Sequence, residues 1–210
     1  MQWVLVLPVK RLVAAKTRLA GRYGSLRSEL ALAFAVDTAA AASAASAVDA
    51  VVAVTDEPAA REELHALGVV VLPDVPDAGL NPALEHGAGY ARAVRPGCGI
   101  GGLSADLPSL RAAELDIVLA RAGAVDLSFV RDRRGTGTTL VLARRGLALQ
   151  PAFGHGSGDR HGAAGHVDLT AWAGPGLRSD VDTATDLDRA IELGAGGRTT
   201  EVLKGLPGLG

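Results

Sequence analysis

Trp3-Val4-Leu5-Val6-Leu7-Pro8-Val9 is an uncharged run of aliphatic and aromatic side chains, closed by a proline and followed at once by Lys10 and Arg11. An apolar run without polar alternation marks a strand that is covered on both faces. Runs of the same kind recur at residues 50–55, 69–72, 100–104 and 127–130. Helical segments separate them. One runs from residue 26 to about 45, and another from Pro58, suited to a first helical turn, to Gly68. A third starts at Pro82 behind an Asn81 cap and reaches about Val94, and a fourth covers residues 110–122. Strands alternating with helices in this order predict an α/β fold of three layers, Rossmann-like, with a mostly parallel sheet and right-handed crossovers.

Beyond Gly135 the pattern changes. Residues 138–143 are β-like, and residues 153–165 are rich in Gly and His. Residues 176–182 read as a returning edge strand and residues 184–193 as a helix. No internal repeat and no linker-like composition divides the chain, so residues 1–210 are expected to form a single domain.

The 210 residues are 48% hydrophobic and 21% charged, a globular balance that excludes a largely disordered chain. With aromatics at 3%, the core must be built from Ala, Val and Leu. A net charge of −2 gives no footprint for nucleic acid or for an acidic membrane surface. Cys98 is the only cysteine, which excludes an internal disulfide and suits a reducing compartment. The first apolar run falls far short of the roughly 20 residues of a spanning helix, and no basic residue precedes it as in a secretory signal. The bases that precede Glu29 invite an organellar presequence, but a β-like start argues against one, and a cytoplasmic location is expected.

In open parallel sheets, ligands bind beyond the carboxyl ends of the strands. Asp56, Asp74, Asp106 and Asp132 each follow a strand there, where an acid holds a metal or a ribose, or merely caps and turns the chain. Four constellations bear on the choice. After the first strand, Lys10, Arg11, Lys16 and Arg18 present cations that suit a triphosphate or, alternatively, make a solvated basic loop. Ser104-Ala105-Asp106-Leu107-Pro108 puts an acid where it can be a monodentate Mg²⁺ ligand or a plain turn residue. Gly135-Thr136-Gly137-Thr138-Thr139 and Phe153-Gly154-His155-Gly156-Ser157 offer backbone N–H groups and hydroxyls to an anion, or are flexible loops. Ser179-Asp180-Val181-Asp182-Thr183 would set Asp180 and Asp182 on one face of an edge strand, where paired carboxylates call for a cation, while Asp186 and Asp188 suit a helix start. No P-loop and no Gly-x-Gly-x-x-Gly fingerprint follows the first strand, and residues 97–102 read as glycines for close packing. His155, His161 and His166 match no usual zinc spacing, and their roles stay open.

Taken in order, Pro8-Val9-Lys10-Arg11-Leu12…Lys16-Thr17-Arg18-Leu19, Ser104-Ala105-Asp106-Leu107-Pro108, Gly135 to Thr139, Phe153-Gly154…Ser157…His161 and Asp180-Val181-Asp182-Thr183 resemble the 2-phospho-L-lactate and phosphoenolpyruvate guanylyltransferases of coenzyme F-420 biosynthesis. The resemblance spans nearly the whole chain. It implies a nucleotidyltransferase fold and transfer of GMP from GTP to a small phosphorylated carboxylic acid, with release of pyrophosphate. It also implies acceptor contacts at Thr139, Gly154 and Ser157, and Mg²⁺ held by Asp106 and Asp182. Lys10, Lys16 and Arg18 fall near the nucleotide, with Asp106 and Lys16 as the catalytic pair. The Asn81-Pro82 pair departs from the small residue expected after Asn.

A phosphate acceptor is already ionised at neutral pH, so the chemistry needs positioning and charge neutralisation rather than a general base. No residue separates phosphoenolpyruvate from 2-phospho-L-lactate. The Ala-, Gly- and Arg-rich composition suggests an actinobacterial source, and with it phosphoenolpyruvate. Two other readings stand beside this one: a nucleotidyltransferase or glycosyltransferase acting on a sugar phosphate or a pterin, and a silent nucleotide-binding domain. The first usually carries a Gly-rich loop that residues 10–20 lack. The oligomeric state is left open, a homodimer included.

Overall fold

The computed structural model describes residues 1–10, 16–75 and 77–205. Arg11, Leu12 and Ala15 of the basic motif lie outside the described residues. The chain runs β1 (Trp3–Pro8), α1 (Ala20–Tyr23), α2 (Arg27–Ser43), β2 (Val48–Val54), α3 (Pro58–Ala66), β3 (Val70–Leu72), α4 (Leu80–Val94), β4 (Gly99–Leu103) and α5 (Ala112–Ala122). It continues through β5 (Leu127–Arg131), β6 (Thr138–Ala143), α6 (Ser157–Ala163), β7 (Val167–Asp168), α7 (Pro175–Arg178), α8 (Ala184–Glu192) and α9 (Gly197–Lys204). Single 3₁₀ turns occupy Thr17–Leu19, Gly24–Leu26 and Thr170–Trp172.

Among the described residues, seven strands form one sheet in the order β3-β2-β1-β4-β6-β5-β7. β1 pairs in parallel with β2 and β4, while β6 runs antiparallel between β4 and β5. The expected α/β sheet is therefore present, parallel in the half that carries β1 and mixed beyond β4.

Alternation along β1 explains the layers. Trp3, Leu5 and Leu7 face one core with α2, α3 and α5, whereas Val4 and Val6 face another with Ala83, Leu84, Ala88 and Ala91 of α4. Side chains at i and i+2 share a strand face, so one unbroken apolar run can fill both cores. Gly87 lets α4 lie against the sheet, since a Cβ there would stand 2.4 Å from a methyl of Val6. Outside α2, a third cluster joins Leu30 and Phe34 to Leu187 of α8 and to Val202 and Leu203 of α9. Asp37 of α2 fastens that layer by accepting the N–H groups of Arg198 (2.9 Å) and Thr199 (2.8 Å) at the start of α9.

Three local expectations change. Residues 176–182 form no strand: Pro175 starts the short helix α7, where Gly176 packs so tightly on Ser109 and Glu114 that a Cβ would stand 2.3 Å from the Ser109 carbonyl oxygen. The sheet edge comes instead from the two residues of β7. The Gly- and His-rich stretch contains helix α6, entered through Gly156 in the left-handed region (φ 70°). Finally, Asn81 does not cap α4; Gly79 does so at φ 106°, which releases the Asn81 side chain for another task. No helix among the described residues is long and apolar enough to cross a membrane.

Candidate active site

The carboxyl ends of β1 and β4 open into a cavity of about 260 Å³ whose lining includes Lys10, Lys16, Leu80, Ser104, Asp106 and Asp182. Asp106 and Asp182 stand 76 positions apart in the chain, and one backbone bond joins their segments: the Val181 N–H donates to the Asp106 carbonyl at 3.0 Å. Asp106 is itself anchored from below. The Leu107 N–H donates to the buried Thr38 hydroxyl (3.0 Å), and the Ser104 N–H donates to the Thr139 carbonyl (2.8 Å).

Lys16 closes the constellation. Its ammonium donates to the Asp106 carboxylate and, at 2.8 Å, to Asp182 Oδ1, with only 12% of its side chain exposed. The backbone of Lys16 lies in the left-handed region (φ 52°), which residues with a Cβ rarely adopt and which tends to collect at functional sites. Burial works against the charge of Lys16, but Asp106 and then Asp182 outweigh it, so the ammonium titrates above its ordinary value. Burial likewise opposes ionisation of Asp182, and Lys16 reverses that and holds its pKa below the carboxylate range. Among the described residues Asp180 has no such partner. Burial, with the charges of Asp106, Asp182 and Asp132, pushes its carboxyl up to about 7.

The donor set fits a hard divalent ion. Two carboxylates that bond one ammonium nitrogen are close enough to share a cation once Lys16 turns toward an anion. Mg²⁺ takes one or two carboxylates and leaves its other positions to phosphate and water. Among the described residues no group of three His, Cys, Asp or Glu stands together as a closed protein cage would require.

The other candidate residues are distributed around this centre. Lys10 is exposed and lines the cavity. Arg18 is exposed on the 3₁₀ turn after Lys16, and its charge acts on Asp182. Thr139, Gly154 and Ser157 do not line the cavity, although Thr139 sits on β6 beside Ser104 of the site, its buried hydroxyl without a hydrogen-bond partner among the described residues. Gly154 (φ 120°) turns the chain into α6, and its carbonyl accepts the Ser157 N–H at 3.0 Å.

Two residues that hold this loop are given no such role by the sequence. Asn81, next to Leu80 of the cavity wall, grips the Phe153 backbone at both ends: its Oδ1 accepts the Phe153 N–H (2.8 Å) and its Nδ2 donates to the Phe153 carbonyl (3.2 Å). His161, fully buried, accepts the Ala152 N–H at Nε2 (3.0 Å), which leaves Nδ1 to donate to Thr138 Oγ1 (3.0 Å). Burial, then the neighbouring His166, pushes the pKa of His161 down to about 4, so it stays a neutral clamp. His155 is exposed, and its carbonyl accepts from Arg160.

Asp132 and Asp186 are structural. Asp132 accepts the Thr136 N–H in a tight turn. Asp186 caps α8 reciprocally with Thr183 and also accepts the Asp182 N–H (3.3 Å), which orients the Asp182 backbone.

Basic groups and paired acids stand together at the strand ends of this sheet. The fold is similar to that of a nucleotidyl transferase from Methanothermobacter, which superposes with a TM-score of 0.62 at 16% identity, covering 97% of this chain and 98% of that one. A structure from Desulfovibrio desulfuricans, described as a nucleotide-diphospho-sugar transferase, reaches 0.66 at 17% identity, covering 97% and 95%. The chain belongs to the CofC-like guanylyl transferase family, whose model matches residues 3–207. It is 53% identical over 205 residues to a phosphoenolpyruvate guanylyltransferase from Thermomonospora curvata, covering 98% of this chain and 90% of the relative. It is 51% identical over 203 residues to one from Streptomyces coelicolor, covering 96% of each.

Proposed function

We propose that this chain transfers GMP from GTP to phosphoenolpyruvate, releasing pyrophosphate and forming enolpyruvyl-diphospho-guanosine, the step that its family resemblance assigns to coenzyme F-420 biosynthesis. The observation that carries this reading is Lys16 bonded to both Asp106 and Asp182 in a strand-end cavity, in a chain whose relatives are named phosphoenolpyruvate guanylyltransferase. Those names favour phosphoenolpyruvate over 2-phospho-L-lactate as acceptor.

A phosphate oxygen of the acceptor attacks the α-phosphorus of GTP in line. The bond from that phosphorus to the bridging oxygen breaks, and pyrophosphate leaves with the electron pair. The attacking oxygen is already ionised, so no side chain need take a proton. Lys16 turns from its two carboxylates to the phosphates, and Lys10 and Arg18 offset the remaining negative charge. The family resemblance gives Thr139, Gly154 and Ser157 to the acceptor, with Asn81 and His161 holding the loop that carries Gly154 and Ser157 in place. Asp106 and Asp182 would hold Mg²⁺, which supplies charge neutralisation on the phosphate oxygens when bound.

The test is pyrophosphate release from GTP and Mg²⁺ with each acceptor. Release with phosphoenolpyruvate is expected. Release with 2-phospho-L-lactate alone reassigns the acceptor, and release with neither overturns the reading in favour of a sugar-phosphate or pterin acceptor or a silent binding domain.

A further inference from the structure

Beside the first cavity lies a second of about 170 Å³, and Pro8, Val9, Lys10 and Leu80 form the wall they share. It sits at the carboxyl ends of β2 and β3. There the Val9 N–H donates to the Val54 carbonyl (2.9 Å), and the Thr55 N–H to the Leu72 carbonyl (2.9 Å). Its apolar surface comes from Val54, Leu80 and Ala83, and its charged side chains other than Lys10 are Asp56, Asp74 and Asp77. The Asp74 N–H donates to Asp56 Oδ1 at 3.1 Å, which fixes the turn. Asp74 Oδ1 is shut off from solvent and has no hydrogen-bond partner among the described residues. A buried acceptor without a donor is costly, and a turn of the carboxylate that brings Oδ1 to the cavity would let an arriving N–H satisfy it.

We propose that this second cavity receives the nucleobase and that the Asp74 carboxylate selects guanine by accepting hydrogen bonds from its N1–H and 2-amino groups. This rests on the reading that the triphosphate occupies the first cavity, with Lys10 between the two ends of the nucleotide. A carboxylate only accepts hydrogen bonds, so a matching base edge must present adjacent donors. Guanine does so. Adenine and cytosine would each turn a ring-nitrogen lone pair toward the carboxylate, and uracil would flank its single N–H with two carbonyl oxygens. Leu80 and Ala83 give the flat faces of the base an apolar surface, and Asp56 acts as a positioning residue through the Asp74 backbone.

The experiment is calorimetric titration of the full chain with GTP, ITP, XTP and ATP in Mg²⁺. Wild type should bind ITP, which lacks the 2-amino group, about tenfold more weakly than GTP, and ATP about a hundredfold more weakly. Asp74→Asn should lose about tenfold or more for GTP and prefer XTP, because its amide can donate to the 2-oxo group. Asp56→Asn should weaken GTP less and keep GTP ahead of XTP. Wild type that binds ITP as tightly as GTP, or that binds none of the four, overturns the proposal; the ITP arm needs no variant to fold. An Asp74→Asn protein that melts like wild type and keeps its GTP-to-XTP ratio also overturns it, and returns Asp74 to a ribose-holding role. Failure of the guanylyl-transfer reading looks different: base selectivity persists, but no acceptor yields pyrophosphate.

Discussion

Acidification should weaken the fold through His161, and the loss can be worked out. The ring is fully buried and neutral, with Nε2 accepting from Ala152 and Nδ1 donating to Thr138. In the unfolded chain the group titrates near its ordinary value of about 6.5; in the folded protein burial depresses it to about 4. A depressed histidine leaves the unfolded state holding more protons between those values, so stability falls as pH drops through that window. From pH 7 to pH 5 the linkage relation gives a loss of about 2 kcal/mol from this one group. His166, also depressed by burial, acts in the same direction. His161→Gln keeps an acceptor and a donor but removes the titration. Urea denaturation at the two pH values should show the variant losing about 2 kcal/mol less than wild type. Equal losses in the two proteins would refute the buried neutral clamp.

Other expectations follow from contacts away from the chemistry. Gly87→Ala drives a Cβ to 2.4 Å from a methyl of Val6, and even after the helix-propensity gain it should destabilise by about 1–2 kcal/mol in a denaturant titration. Asp37→Ala strips two N–H bonds from the start of α9 and should cost about 1–2 kcal/mol, a fall in Tm of several degrees by calorimetry. Asn81→Ala frees the Phe153 backbone at both ends; steady-state kinetics should show KM for the acceptor rising several-fold while KM for GTP barely moves.

How much of this was legible in the sequence depends on how local each signal is. The strand from Trp3 and its successors could be read because period and composition act over a few residues, and so could the helices between them. The fate of residues 176–182 could not: alternation suggested a strand, but Pro175 and the contact of Gly176 with Ser109 decide for a helical turn, and that contact is long-range. Asn81 before Pro82 looked like a helix cap, yet Gly79 takes that place and Asn81 bonds to Phe153, 72 residues on. Asp106 and Lys16 were readable as strand-end chemistry, but their junction with Asp182 depends on long-range contacts, the Val181 bond to the Asp106 carbonyl and the Lys16 bond to Asp182. His161 belongs to a recognisable segment, but its role as a clamp rests on its bonds to Thr138 and Ala152, which no spacing rule predicts. Of the four strand-end acids, only the tertiary structure sorts Asp106 into the first cavity, Asp56 and Asp74 into the second, and Asp132 into a turn.

The central claim is that Asp106 and Asp182 act as one charge-holding unit for the triphosphate. A double-mutant cycle of Asp106→Asn and Asp182→Asn, read by pyrophosphate release from GTP and phosphoenolpyruvate at saturating Mg²⁺, addresses it directly. Each single variant should lose about a hundredfold or more in kcat/KM, on the scale of several kcal/mol for metal-assisted chemistry, and the double variant little beyond that. Turnover near wild type in Asp106→Asn, or losses that simply multiply, would contradict it.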